Sequence, residues 1–424
     1  MPSILSRPLW RARRPGGPHR VAVLVTLGLT AAACTTAPAS KAPGEPRVLG
    51  QQNGAPAVVG QPAPAGTGQL DAVTCAGPTH CWAVGAPGPT GATGTTSSVP
   101  PPPATVIDAT VDGGETWTGQ PLTLTPAPAL TAISCPSDRL CMAVGLSGTG
   151  TAGVVLTTDD AGSTWAQASV PDGAVVVTGV ECAGAKDCTA IASDGTTFWS
   201  AHSTDFGHTW EREGDLPPGF LDAGDLSCVA GAACLVTGFT ATTAGHGQGA
   251  IAISTDGGVT WTATAVPSGT GLLQGAACAT ISSCLAVGTT STTVSAPIPA
   301  QGALLTSDDG GHTWTRAAGA EPIDDIFGID CPSRSICAMV GTNWIGTPAV
   351  GTGAVAHSSN GGAHFTASAT EYTPLALTGL SCPTTQRCVA VGGDTVALIG
   401  LPHTAPSHTA ASGPTLPRVP ERAR

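Results

Sequence analysis

Apolar and polar positions alternate along this chain in short runs, and no stretch holds a helical period. Leu130-Thr-Ala-Ile133-Ser-Cys135, Cys141-Met-Ala-Val-Gly145 and Gly153-Val-Val-Leu156 show the pattern. Alternation of this kind, rich in Val, Ile and Thr, predicts short half-buried strands. Gly- and Thr-rich stretches between the runs predict turns and loops. The same order recurs along the chain: strand, cysteine pair, strand, variable loop, third strand, tight turn. The pattern therefore predicts an all-β fold built from internal repeats.

The N-terminal segment departs from this pattern. Val21–Ala33 is an apolar run of 13 residues, preceded by Arg7, Arg11, Arg13, Arg14 and Arg20 and no acid. A bilayer core takes about 20 helical residues, so the run fits a signal-peptide core rather than a span. It ends Ala31-Ala-Ala33-Cys34. Small residues before a cysteine resemble a bacterial lipobox, although Ala31 stands where that family usually has Leu. The resemblance implies cleavage before Cys34, lipidation of its thiol, and placement on the outer face of the cell membrane. Plain cleavage with secretion is the alternative. The expected organisation is a signal peptide over 1–33, a flexible Ala/Pro/Thr tether over 34–55, a folded domain over 56–402 and a disordered tail over 403–424.

Of 15 cysteines, 14 fall into C-x5-C pairs: Cys75/Cys81, Cys135/Cys141, Cys182/Cys188, Cys228/Cys234, Cys278/Cys284, Cys331/Cys337 and Cys382/Cys388. Their first members lie 60, 47, 46, 50, 53 and 51 residues apart, the size of a four-stranded propeller blade. Five intervening residues allow a hairpin whose two cysteines face each other and bridge. An exported chain meets an oxidising space, where such bridges persist. Each closes a small loop and is expected to contribute about 2 kcal/mol. Zinc sites use other spacings and four converging ligands, so no metal is expected.

The tight turn carries its own motif, S/T-x-D-x-G-x-T-W. It runs Thr110-Val-Asp112-Gly-Gly114-Glu-Thr116-Trp117 and recurs with Asp160/Trp165, Asp205/Trp210, Asp256/Trp261 and Asp309/Trp314. A sixth, degenerate copy has Asn360 and Phe365 at those places. The motif resembles the Asp-box, or BNR repeat, of sialidase-like β-propellers, shared by photosystem II stability-factor-like propellers and the sortilin ectodomain. The resemblance implies a seven-bladed β-propeller with Asp-box turns and one C-x5-C disulfide per blade. A short Asp side chain accepts hydrogen bonds from its own turn, and a Trp after it can pack between blades, so these residues read as scaffold.

The seventh repeat lacks a fourth strand. In complete repeats, 17 or 18 residues separate the box aromatic from the next first cysteine, and 17 before Cys75 lies Val58. Ala57–Gln61 is thus expected to be the outer strand of the last blade, closing the ring.

Composition narrows the function. Only 10% of residues are charged and the net charge is −12. Removing 1–33 leaves 11 basic and 28 acidic residues, a net charge of −17. Such a surface repels nucleic acid and anionic headgroups, leaving the lipid as the membrane contact. Sialidase chemistry needs a Tyr/Glu nucleophile pair, an Asp and an Arg clamp. The single tyrosine, Tyr372, stands beside Glu371, and Arg139, Arg334 and Arg387 fall in the cysteine hairpins, on the box rim. No catalytic residue, cofactor or metal is carried over. Asp324/Asp325 read as a paired surface charge in a loop. The longest loops, Ala86–Pro103, Ala241–Gln248, Ser291–Gln301 and Asn343–Gly353, are expected on the opposite rim, with Trp344 as a ligand anchor. The expected function is binding: a monomeric envelope scaffold for a protein or glycan. A divergent glycoside hydrolase and an assembly factor for a membrane complex are the alternatives.

Overall fold

The computed structural model describes residues 56–88, 106–229, 232–241, 247–291, 301–317, 321–345, 350–368 and 376–402. Cys34 and the apolar N-terminal run, the tail over 403–424, and Glu371 and Tyr372 lie outside the described residues.

Each cysteine hairpin joins the first two strands of a sheet. All seven pairs are bridged, with S–S distances of 2.00–2.14 Å. Cys75 stands opposite Cys81, Cys182 opposite Cys188, Cys228 opposite Cys234 and Cys278 opposite Cys284, as the hairpin geometry predicts. The cysteines of the other three bridges face each other just as closely, with Cα–Cα distances of 3.9–4.1 Å, but the backbone ladder does not run through them. In blades two and six the ladder stops one residue short, at Ser134 opposite Met142 and Asp330 opposite Ala338, and the bridges Cys135–Cys141 and Cys331–Cys337 lie just beyond it. In blade seven Cys382 and Cys388 are joined without being ladder partners. Ser381 pairs with Val389 and Thr384 with Arg387, so the first strand carries one extra residue and the register shifts at the bridge. Cys388 is fully buried and stands opposite Ile399 of the third strand.

The hairpins start seven four-stranded antiparallel sheets, the blades of a propeller. Six blades take their strands in chain order. The seventh combines Gly379–Thr384, Arg387–Gly392 and Thr395–Gly400 with an outer strand from the other end of the chain, Ala57–Pro62. There Val58 pairs with Ile399 and Gln61 with Val396.

Second and third strands are apolar on both faces because both faces meet a neighbouring blade. Trp82, Val84 and Ile107 of blade one pack with Leu130, Ala143 and Leu156 of blade two. Leu70, Val73 and Ala83 pack with Val389, Val391, Val396 and Leu398 of blade seven, closing the circle. A set of polar bonds ties the inner strands together. The residue before a first cysteine accepts the N–H of the next blade's first cysteine: Ser134 from Cys182 (3.0 Å), Ser227 from Cys278 (3.4 Å), Asp330 from Cys382 (2.6 Å) and Ser381 from Cys75 (3.1 Å).

One expected loop is largely strand. Blade six pairs Cys337 with Ser358 and continues unbroken to Ile345 opposite Val350, so Asn343–Gly353 is largely a projecting hairpin. In blade four the ladder runs out to Ala241 opposite Gly247, at the edges of the expected loop Ala241–Gln248; residues 242–246 lie outside the described residues. Small residues such as Gly351 let the ladder continue: a Cβ there would lie 3.1 Å from Trp344 Cζ3, so the indole rests on bare backbone.

Candidate functional site

The Asp-box residues stabilise their own turns. In each full copy the box Asp accepts the N–H of the box Thr at 2.8–2.9 Å and its hydroxyl at 2.6–2.7 Å. In the sixth, Asn360 Oδ1 accepts the His364 N–H at 3.0 Å. Side-chain and backbone hydrogen bonds from Thr209 and Thr313 hold Asp205 and Asp309 down at about 2. The box Gly adopts left-handed backbone and approaches the preceding blade. At Gly258 (φ +105°) a Cβ would lie 3.3 Å from Thr189.

The box aromatics are less uniform than their motif. Three reach back to the preceding blade: Trp210 donates to Ser169 O (2.9 Å), Trp261 to Ser200 Oγ (3.0 Å) and Trp314 to Thr264 Oγ1 (3.2 Å). Trp117 donates within its own box, to Gly114 O (3.2 Å). Trp165 breaks the pattern. Its ring packs against the core shared by blades one and two, and its Nε1 is buried with no hydrogen-bond partner among the described residues. It serves the fold through its apolar ring alone, as buried Phe365 does in the sixth copy. Two of the hairpin arginines brace this rim: Arg139 donates to Asp159 O (3.2 and 3.1 Å) and Arg387 to Gly113 O (3.4 Å). These groups are occupied by the fold.

The opposite rim carries the exposed chemistry. The blade-six hairpin holds half-buried Trp344 and, at its tip, the exposed pair Ile345 and Val350. Asp324 Oδ2 accepts the Trp344 N–H at 2.9 Å, and the Asp324 N–H donates to Asn343 Oδ1 at 2.9 Å. The acid pair is not a surface charge in a loop. Asp325 opens the inner strand at 6% exposure, with Oδ1 unpartnered. Burial pushes its carboxyl up to about 6; the neighbouring Asp324 adds to the rise, and the Thr289 and Trp344 side chains oppose it. An aromatic face, two aliphatic side chains and a carboxylate thus meet on this hairpin.

A second feature lies on the axis. Inner strands enclose a cavity of about 320 Å³ whose wall includes Glu181, Asp225, Gln274, Phe327 and Asp330. Burial, then the facing Asp225 and Asp330, pushes Glu181 up to about 8. Asp330 rises to about 6 through burial, opposed by N–H groups of Cys382 and Cys331. Sequence reading missed these acids. Alignment of the repeats on their cysteines reveals two of them: Glu181 and Asp330 immediately precede Cys182 and Cys331, where other repeats carry Thr74, Ser134, Ser227, Ala277 and Ser381. Among the described residues no group of three His, Cys, Asp or Glu is arranged to hold a metal ion.

In sequence, the BNR/Asp-box repeat profile matches residues 252–263. No curated protein matches the chain. In structure, the chain is similar to YCF48 bound to D1 peptide, at 13% identity, covering 82% of this chain and 97% of that one, TM-score 0.56. It is similar to the GH74 enzyme of Niastella koreensis at 14% identity, covering 82% of this chain and 54% of that one, TM-score 0.56. Virginiamycin B lyase from Staphylococcus aureus with quinupristin matches at 12% identity, covering 82% and 100%, TM-score 0.57. At these identities the likeness shows the fold, a β-propeller used for binding and for catalysis.

Proposed function

We propose that this protein is an exported propeller, tethered to the outer face of the cell membrane through a lipid on Cys34, that binds a protein or glycan of the cell envelope. The observation that carries the binding role is the blade-six hairpin, which raises Trp344, Ile345 and Val350 beside Asp324 on the loop-rich rim. Loops and hairpins on a rigid scaffold are the usual seat of recognition, and a partly exposed Trp is a strong anchor. The similar YCF48 structure holds a peptide, which supports a protein partner. Export is supported by the arginine-rich, acid-free N-terminus, the apolar run after it and the seven disulfides. The tether is tested by acyl labelling of cells expressing the full chain and its Cys34→Ala variant: the label is expected on the first and absent from the second.

The binding role is tested by capture from envelope extract beside a glycan array, with wild type and Trp344→Ala. Loss of an aromatic anchor is expected to weaken the selected partner by about 2 kcal/mol, some thirtyfold. Equal retention by the variant would move the site elsewhere. Hydrolysis of an arrayed glycan would replace the binding reading with the glycoside hydrolase alternative.

A further inference from the structure

The acids on the axis are unlike the other polar groups of the inner strands. Asp225 and Asp330 each tie an oxygen to the next blade: Asp225 Oδ2 accepts the Ala276 N–H at 3.0 Å and Asp330 Oδ2 the Cys382 N–H at 2.6 Å. Glu181 makes no such tie and accepts no hydrogen bond from any described residue. Its side chain borders the cavity on one side and is enclosed by protein on the others. No Lys, Arg or His stands on the cavity wall among the described residues. Three carboxyl groups therefore face one polar space with no counter-charge, a costly arrangement when the space holds only water.

We propose that the axial cavity is a binding site for an organic cation, an ammonium or guanidinium group held by Glu181 opposite Asp225 and Asp330. The acids do not converge on a single coordination sphere, which disfavours a bare metal ion. A guanidinium or ammonium head carries several N–H donors and can bridge separated carboxylates. Burial first, and then Asp225 and Asp330, raise the affinity of Glu181 for its proton, and a bound cation would take the place of that proton. This site is separate from the blade-six surface: its wall includes Cys228, Cys278 and Cys331, which places it toward the cysteine-hairpin rim.

The test is calorimetric titration of the full chain with L-argininamide at slightly alkaline pH, in low and in high salt. Wild type is expected to bind one equivalent, more weakly in high salt. Glu181→Gln, which loses no hydrogen bond within the fold, is expected to melt no lower than wild type and to bind at least about tenfold more weakly. Gln274→Glu adds an acid to the same wall and is expected to tighten binding. Absence of binding to wild type, or equal affinity in Glu181→Gln, would overturn the proposal. Calcium binding that is lost in Glu181→Gln, with no binding of L-argininamide, would overturn the assignment to an organic cation. None of these outcomes depends on Trp344, so failure here leaves the rim proposal standing, and the reverse.

Discussion

Asp108 is the most exacting test of how the ring is closed. It lies two residues before Thr110 in the third strand of blade one, where blades two to six place Leu156, Ala201, Ala252, Leu305 and Ala356. All of these are buried, and Asp108 itself is 0% exposed. One oxygen accepts the Thr67 hydroxyl at 2.7 Å, and Oδ1 has no partner among the described residues. Thr67 belongs to the linker that carries the chain from the outer strand of blade seven to the inner strand of blade one, so this bond pins the closing seam. Burial raises the Asp108 carboxyl from 3.8 to about 6, although the Thr67 bond opposes the rise. A carboxyl whose folded pKa is raised stabilises the fold most when protonated in both states. As pH climbs from about 4 to above 6, the unfolded chain ionises first, and the folded state loses about 3 kcal/mol relative to it. Urea unfolding followed by tryptophan fluorescence is to be run between pH 4.5 and 7.5 on wild type and Asp108→Asn. Asn matches Asp in shape and can keep the Thr67 bond, so the difference isolates the charge. The variant is expected to lose about 2 kcal/mol of the fall in stability across this range, since part of the total has already been lost by pH 4.5. Asp325 and Glu181 contribute to the fall in both proteins and cancel in the comparison. If Asp108→Asn keeps the full wild-type slope, the Asp108 carboxyl ionises in the fold at the same pH as in the unfolded chain and the reasoning fails.

Three further outcomes follow from the fold. Deleting Ala57–Pro62 removes the outer strand of blade seven and bares an edge over Val396, Leu398 and Ile399. Urea unfolding is expected to lose at least about 3 kcal/mol or to split into separate steps, and an unchanged midpoint would refute the closure. In the boxes the signs run the other way. Asp205 and Asp309 have folded pKa values lowered to about 2, so their contribution is present above about 4 and is lost as pH falls toward 2. The double variant Asp205→Asn/Asp309→Asn is expected to flatten the acid limb of the melting profile while leaving the neutral limb in place. Trp165→Phe removes a buried donor that has no acceptor, and Trp261→Phe removes one bonded to Ser200. The first is expected to cost at least about 1 kcal/mol less than the second in urea unfolding, and equal costs would show that Trp165 is held by a hydrogen bond after all.

The chain's own spacing determined much of this protein. A box needs only eight consecutive residues to satisfy its hydrogen bonds, and a C-x5-C bridge needs only one hairpin, so both are visible in sequence. Their recurrence at blade length then determined seven sheets in a ring, because a blade cannot bury both faces without neighbours. The distance from box aromatic to cysteine pointed to Val58, and in the structure Val58 faces Ile399. The rest depended on register and on contacts between repeats. Identical spacing does not fix identical ladders: an extra residue in the first strand of blade seven shifts the register between Ser381 and Thr384, beside its bridge. Nor does an identical motif fix identical partners, since Trp165 and Trp210 share a box but only Trp210 finds an acceptor on the preceding blade. Asn343–Gly353 looked like a loop because its Gly and Thr content carries turn signals, yet an unbroken ladder makes it a hairpin. Asp324 and Asp325 looked like surface charge because burial cannot be read from a dipeptide. Glu181, Asp225 and Asp330 sit in three different repeats, and Asp108 meets Thr67 across 41 residues. Only the closing of the ring brings the inner strands to one axis, and there the side chains of Glu181, Asp225 and Asp330, from three separate repeats, come to share a single electrostatic environment.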